Sequence, residues 1–151
     1  MEFDVVIVGA GPSGLATACK LLQLAQEKEQ ELSVCVVEKG SEVGAHILSG
    51  AILEPTALNE LFPDWQSMGA PLTAPVVRDE MHILTSPTGG MALPNVAHPK
   101  PMHNEGNDIV SLGNVCRWLS DHAEHFGVEI VPGLAAYECS YRSDGSATVI
   151  A

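Results

Sequence analysis

Basic residues are scarce in this chain: seven lysines and arginines stand against nineteen aspartates and glutamates, a formal charge of −12 with histidine neutral. A surface of that sign repels a phosphate backbone and argues against a nucleic-acid binder. Long apolar runs are missing as well. Residues 5–10 and 34–37, the longest near the start, fall far short of the roughly 20 residues that a bilayer-spanning helix needs. The opening Met1, Glu2, Phe3 and Asp4 lead straight into an apolar strand pattern, without the basic segment and cleavage site of a secretory leader. Close cysteine pairs are also absent: Cys19, Cys35, Cys116 and Cys139 are scattered, so they are expected as buried thiols of a reducing compartment rather than as zinc or iron–sulfur ligands. The six histidines form no HExxH framework, and His122 and His125 are read as a solvated helix face. Aromatic residues make up only 5%, and Trp65 and Trp118 are expected to pack rather than to react.

What the chain does have is enough apolar material for a core, 46% of its 151 residues, together with 14 glycines and 10 prolines for turns. That length is one domain. Residues 4–9 read as a buried strand, and residues 15–29 switch to a helical period with Leu15, Cys19, Leu22 and Ala25 or Gln26 on one face. Residues 32–37 read as a second strand. Two strands separated by such a helix form a βαβ unit, with the strands parallel and buried between helical layers.

Between Gly40 and Asn107 the pattern becomes irregular and insertion-like. A short helix is expected over residues 55–62, and a hairpin over residues 81–85 and 91–93 around the turn at 87–90. Residues 95–107, with Pro99, Pro101 and Gly106, read as an ordered but irregular loop. Regularity returns at Ser111, a plausible N-cap, with Leu112, Val115, Leu119, Ala123 and Phe126 marking one side of a helix that ends before Gly127. Residues 128–131 read as another buried strand. Residues 135–141 and 147–150 are expected to pair across the Asp144-Gly145 turn. The last apolar run has no turn or helix behind it, so the chain is expected to be the front part of something longer.

The strongest chemical signal lies between the first strand and the first helix. Gly9, Ala10, Gly11, Pro12, Ser13 and Gly14 spell GxGxxG, and Glu38 closes the second strand 24 residues beyond Gly14. In this setting the three glycines have different roles. Gly9 makes the tight turn, Gly11 lets the backbone approach a pyrophosphate, and Gly14 lets helix and strand pack closely. The helix N-terminus then faces phosphate charge. Glu38 is suited to accept hydrogen bonds from the ribose hydroxyls of an adenosine and to repel a 2′-phosphate, which favours FAD or NAD over NADP. Lys39 beside it either softens the local negative field or is simply solvated. No GxxxxGK[ST] phosphate loop is present. Beyond Glu38, the small-residue stretch from Gly40 through Gly44, Ala45, His46, Ser49 and Gly50 permits close backbone contact with an extended cofactor.

These residues resemble the glutathione-reductase-like group of FAD proteins. A longer set is similar to the electron transfer flavoprotein-ubiquinone oxidoreductase family: residues 5–15, 36–39, 44–53 and 60–65, then Gly69 to Leu72, Pro101, Met102, Gly106, Asn107, Ile109, Val110, Leu112, Gly113, Trp118 and residues 127–129. The fingerprint is common to many oxidoreductases; the 44–53 string joined to Leu61-Phe62-Pro63-Asp64-Trp65 is far more specific. The likeness implies an incomplete Rossmann-like α/β FAD-binding domain over residues 1–151, with an irregular insertion carrying the hairpin.

The same resemblance implies FAD held by Gly9 to Gly14 at its diphosphate, by Glu38 at its ribose, and by residues 44–50 on the ribityl and isoalloxazine side. It implies a [4Fe-4S] cluster whose ligands lie outside this chain, electron transfer flavoprotein and ubiquinone as partners, and peripheral membrane attachment through regions outside it. The location implied is the cytoplasmic face in a bacterium or the matrix face in a mitochondrion, with the fragment alone soluble and inactive and retaining little FAD. Redox chemistry would belong to the cofactors, with no catalytic side chain required and His46 packing or hydrogen-bonding near the flavin. Two other readings stay open: a different FAD-dependent dehydrogenase or monooxygenase, and a noncatalytic dinucleotide-binding module.

Overall fold

A computed structural model describes residues 2–150. In chain order the elements are β1 (Val5–Val8), α1 (Pro12–Glu27), β2 (Val34–Glu38), β3 (Gly50–Leu53), α2 (Thr56–Leu61), β4 (Met81–Ser86), β5 (Gly89–Leu93), two single 3₁₀ turns, β6 (Asp108–Ser111), α3 (Leu112–His125), β7 (Glu129–Pro132), β8 (Glu138–Tyr141) and β9 (Ala147–Ile150).

The centre is a three-stranded parallel sheet in the order β1-β2-β7, with Val5 to Val8 paired to Val34 to Val37 and Cys35 to Glu38 paired to Glu129 to Pro132. Alternation along the strands divides its two faces. Val34 and Val36 are fully buried on one face, where Val5 and Ile7 also pack, against α1 and α3. These helices present Leu15, Ala18, Cys19 and Leu22, and Val115, Cys116, Leu119 and Ala123. Pro12 stands in the first turn of α1, where its missing N–H breaks no hydrogen bond. The predicted apolar face of α1 resolves in favour of Ala25, which is buried while Gln26 is exposed.

The other face differs from the expectation of a sheet sandwiched between helical layers. Cys35, Val37, Val6 and Val131 face a hollow of about 290 Å³ that the antiparallel β8-β9 hairpin partly roofs through Ala147 and Val149. Val6 and Val8 remain 38% and 61% exposed there. The strand after α3 is likewise not deeply buried: Val128 is buried, but β7 has no further neighbour among the described residues and holds half-buried Ile130 and Val131 between exposed Glu129 and Pro132.

The insertion is built as expected from a short helix and a β4-β5 hairpin, with residues 95–97 and 100–102 forming the 3₁₀ turns in the irregular loop. A pairing that local pattern did not reveal joins its ends: β3 runs antiparallel to β6, with Ala51 opposite Val110 and Ile52 opposite Ile109. Because β6 leads directly into α3, this ribbon ties the segment after β2 to the start of α3. Ser111 does precede α3, but it ends β6 and its side chain makes no capping bond.

Two further side-chain expectations are corrected. Cys19, Cys35 and Cys116 are buried, whereas Cys139 lies in an exposed strand of the β8-β9 hairpin. His122 is half-buried rather than solvated, edge-on to Trp118 with ring centroids 4.4 Å apart and tilted against Phe62. Trp65 and Trp118 do pack, each also donating its indole N–H, to Asn59 Oδ1 at 2.7 Å and to the Met68 carbonyl at 3.1 Å.

Candidate dinucleotide-binding site

The site forms where β1 and β2 end side by side. The Gly9 N–H donates to the Val37 carbonyl at 2.8 Å, extending the ladder by one bond before the chain turns away with Gly9 at φ +99°, a conformation that favours glycine. Leu15 N–H donates to the Gly11 carbonyl at 3.0 Å, which starts α1 directly from the turn. A Cβ on Gly14 would overlap the carbonyl oxygen of Gly9 and press on Ile7 Cγ2 at 3.2 Å. Around Gly11 nothing lies within 4 Å of where a Cβ would stand. One glycine is closed by packing and the other opens on free space, which is the division of labour that a phosphate turn requires.

Glu38 fixes this turn from the next strand. Its Oε2 accepts the Ala10 N–H at 2.8 Å and its Oε1 accepts the Gly40 N–H at 2.7 Å. Partial burial works against the charged carboxylate, but those two N–H donors, together with the positive charges contributed by His46 and Lys39, outweigh it and hold the carboxyl below the usual glutamate range. Lys39 is exposed to solvent, and its charge is the smallest of the influences that lower the Glu38 carboxyl. With one hydrogen bond at each oxygen, Glu38 keeps acceptor capacity for further donors.

The small-residue stretch is partly assembled with this centre. Ala45 lies close to Gly40, whose Cβ would stand 3.5 Å from the Ala45 Cβ, and His46 is near enough to influence Glu38. Gly44, at φ +84°, starts a turn in which Ile47 N–H donates to its carbonyl at 3.1 Å. Ser49 is exposed, and Gly50 lies at the start of β3, opposite Ser111. Pro12 and Ser13 stand exposed at the head of α1. Two neighbours escaped the sequence reading. Gly113, in the first turn of α3, lies directly against Gly44, and Arg117 one turn later approaches Glu42 at 3.5 Å. Both come from the far side of the insertion, and only the β3-β6 pairing could have located them.

A strand, a glycine turn, a helix and an acid-capped parallel strand define an α/β nucleotide-binding protein of the Rossmann type. Consistent with this, residues 7–62 match the family model of the NAD(P)-binding Rossmann-like domain. Nearly the whole chain is homologous to electron transfer flavoprotein-ubiquinone oxidoreductases. It is 63% identical to that of Pseudomonas aeruginosa over 145 residues, covering 96% of this chain and 26% of the relative. With the mitochondrial one of Dictyostelium discoideum it shares 56% over 150 residues, covering 99% and 24%. The chain thus spans about a quarter of the length of these relatives. Among solved structures, aklavinone-11 hydroxylase in its ternary complex with FAD and aklavinone superposes with a TM-score of 0.64 at 21% identity, over 98% of this chain and 29% of that one, a likeness of fold.

Among the described residues no helix is long and apolar enough to cross a membrane, and no group of three or more His, Cys, Asp or Glu side chains is placed to hold a metal ion.

Proposed function

We propose that this chain is the ADP-binding front part of an FAD domain in an electron-transferring-flavoprotein:ubiquinone oxidoreductase. The observation that carries this reading is the pairing of an open Gly11 with a Glu38 carboxylate anchored to the same turn, in a chain 63% identical to such an oxidoreductase. In this reading Gly9, Ala10, Gly11, Pro12, Ser13 and Gly14 surround the FAD diphosphate, and Glu38 receives the adenosine ribose while Lys39 moderates its field. Gly44, Ala45, His46, Ser49 and Gly50 border the ribityl and flavin portion. In this reading the domain is of the glutathione-reductase-like subtype, as the glycine turn, Glu38 and the 44–50 stretch together suggest.

Bound FAD would supply the redox chemistry, and the residues of the glycine turn, Glu38 and the 44–50 stretch would bind and orient it. The reading extends to the whole protein: reduced electron transfer flavoprotein as donor, ubiquinone as acceptor, and a [4Fe-4S] cluster and peripheral membrane contact supplied by regions outside residues 1–151. Its location is then the cytoplasmic face of a bacterial membrane or the matrix face of a mitochondrial one.

The test is to purify the full-length protein that contains this segment, record its flavin absorbance, and assay ubiquinone reduction by reduced electron transfer flavoprotein. Stoichiometric FAD with quinone reduction is expected. FAD without that activity would point to a different FAD-dependent dehydrogenase or monooxygenase, and absence of flavin would sink the cofactor assignment itself.

A further inference from the structure

We infer that Gly113 is a positioning residue for the turn Gly44–Ile47, and through it for the cofactor-facing placement of His46. This rests on the reading above that the turn borders bound FAD. Gly113 and Gly44 belong to segments far apart in the chain, yet their backbones are in direct contact. A Cβ on Gly44 would stand 3.0 Å from the Gly113 carbonyl oxygen and 3.2 Å from its Cα. Reciprocally, a Cβ on Gly113 would point at the Gly44 carbonyl oxygen at 3.5 Å and the Ile47 carbonyl oxygen at 4.0 Å.

These two carbonyls flank His46, and the turn they belong to is closed by the Ile47 N–H to Gly44 carbonyl bond. The first turn of α3 is therefore a flat seat for the turn that carries His46. The seat is itself fixed: β6 pairs with β3 immediately before α3, and Cys116, Leu119 and Ala123 bury the helix against the core. Arg117 adds a lateral tie, approaching Glu42 at 3.5 Å while donating to Asn114 Oδ1 at 2.9 Å. Both partners are largely exposed, so the backbone contact rather than the ion pair sets the height of the turn.

Side-chain size at position 113 should grade the effect. Alanine meets the Gly44 carbonyl at ordinary van der Waals distance and also favours the helix. A longer or branched side chain has to displace both carbonyls.

The experiment uses the full-length protein saturated with FAD, and reads the visible circular dichroism of the bound flavin together with FAD affinity. Gly113→Leu is expected to shift the flavin bands and to weaken FAD binding about tenfold, while Gly113→Ala matches the parent. Val115→Ala, a buried change in the same helix, is expected to lower the melting temperature with the flavin bands unmoved. Gly113→Val meets the same two carbonyls and carries the test if the leucine variant does not fold. Parental flavin bands and affinity in the folded Leu or Val variant would overturn the inference and leave the FAD assignment standing, as would an equal band shift in Val115→Ala. A parent protein that takes up no FAD would overturn both.

Discussion

Glu38 and Ala10 are joined by a hydrogen bond of 2.8 Å from the Ala10 N–H to Oε2, so the acid that ends β2 also clamps the glycine turn that ends β1. The consequence for pH follows from its lowered pKa. The folded carboxyl is ionised more readily than the unfolded one, so its stabilising contribution is complete above the unfolded value, near 4.5, and is lost as pH falls through the lower folded value. In denaturant titrations across acidic pH, Glu38→Gln should remove that part of the pH dependence and be less stable than the parent at neutral pH, since the amide offers one neutral acceptor oxygen and turns its NH2 donor toward the second of the two N–H groups that the carboxylate accepts. Unchanged acid dependence in the variant would place the clamp elsewhere.

Gly11 and Gly14 separate ligand binding from folding. Gly14→Ala puts a methyl group into the Gly9 carbonyl and should destabilise the fold by about 2 kcal/mol or more, seen as a lower denaturant midpoint. Gly11→Val enters open space and should change the unfolding free energy by no more than about 1 kcal/mol while abolishing FAD uptake in the full-length protein. Equal effects of the two substitutions on stability would contradict this division.

Leu15, fully buried in the first turn of α1, locks the helix that begins at the phosphate turn. Leu15→Ala removes its packing and leaves a cavity, with an expected loss of about 2–5 kcal/mol by equilibrium unfolding.

The thiols divide by burial. Desolvation pushes Cys19 and Cys116 up to about 11, while Cys139 is exposed. Under native conditions near neutral pH an alkylating reagent should modify Cys139 and spare the three buried thiols, Cys19, Cys35 and Cys116, with peptide mass mapping as the readout. The same shift has a stability sign: between about pH 9 and 11 the unfolded thiols ionise while the folded ones keep their protons, so unfolding releases protons and stability should fall as pH rises through that range.

The βαβ unit and the positions of Gly9 to Gly14 and Glu38 were legible because their pattern is local: an apolar run, a glycine spacing, a helical period, an acid at a strand end. The hairpin β4-β5 and the helix α3 announced themselves in the same way. The sequence pattern did not reveal that Gly113 seats the Gly44 turn, because this depends on β3 meeting β6 across the whole insertion. Nor did it reveal the two unequal sheet faces: the apolar strands Val5–Val8 and Val34–Val37 look alike in sequence, yet Val6 and Val8 remain exposed where Val34 and Val36 are sealed by helices. Cys139 and His122 defied their simple expectations for a related reason, since exposure is decided by which element lies opposite and not by residue type.

Among the described residues β1 has a neighbour on one side only, with β2, so its other edge presents unpaired backbone donors and acceptors. The chain leaves β1 at Val8 and enters the phosphate turn at Gly9 with no intervening residue to absorb movement. A strand paired along that edge would stiffen the turn through β1, so the rigidity of the phosphate turn is coupled to how far the sheet is completed.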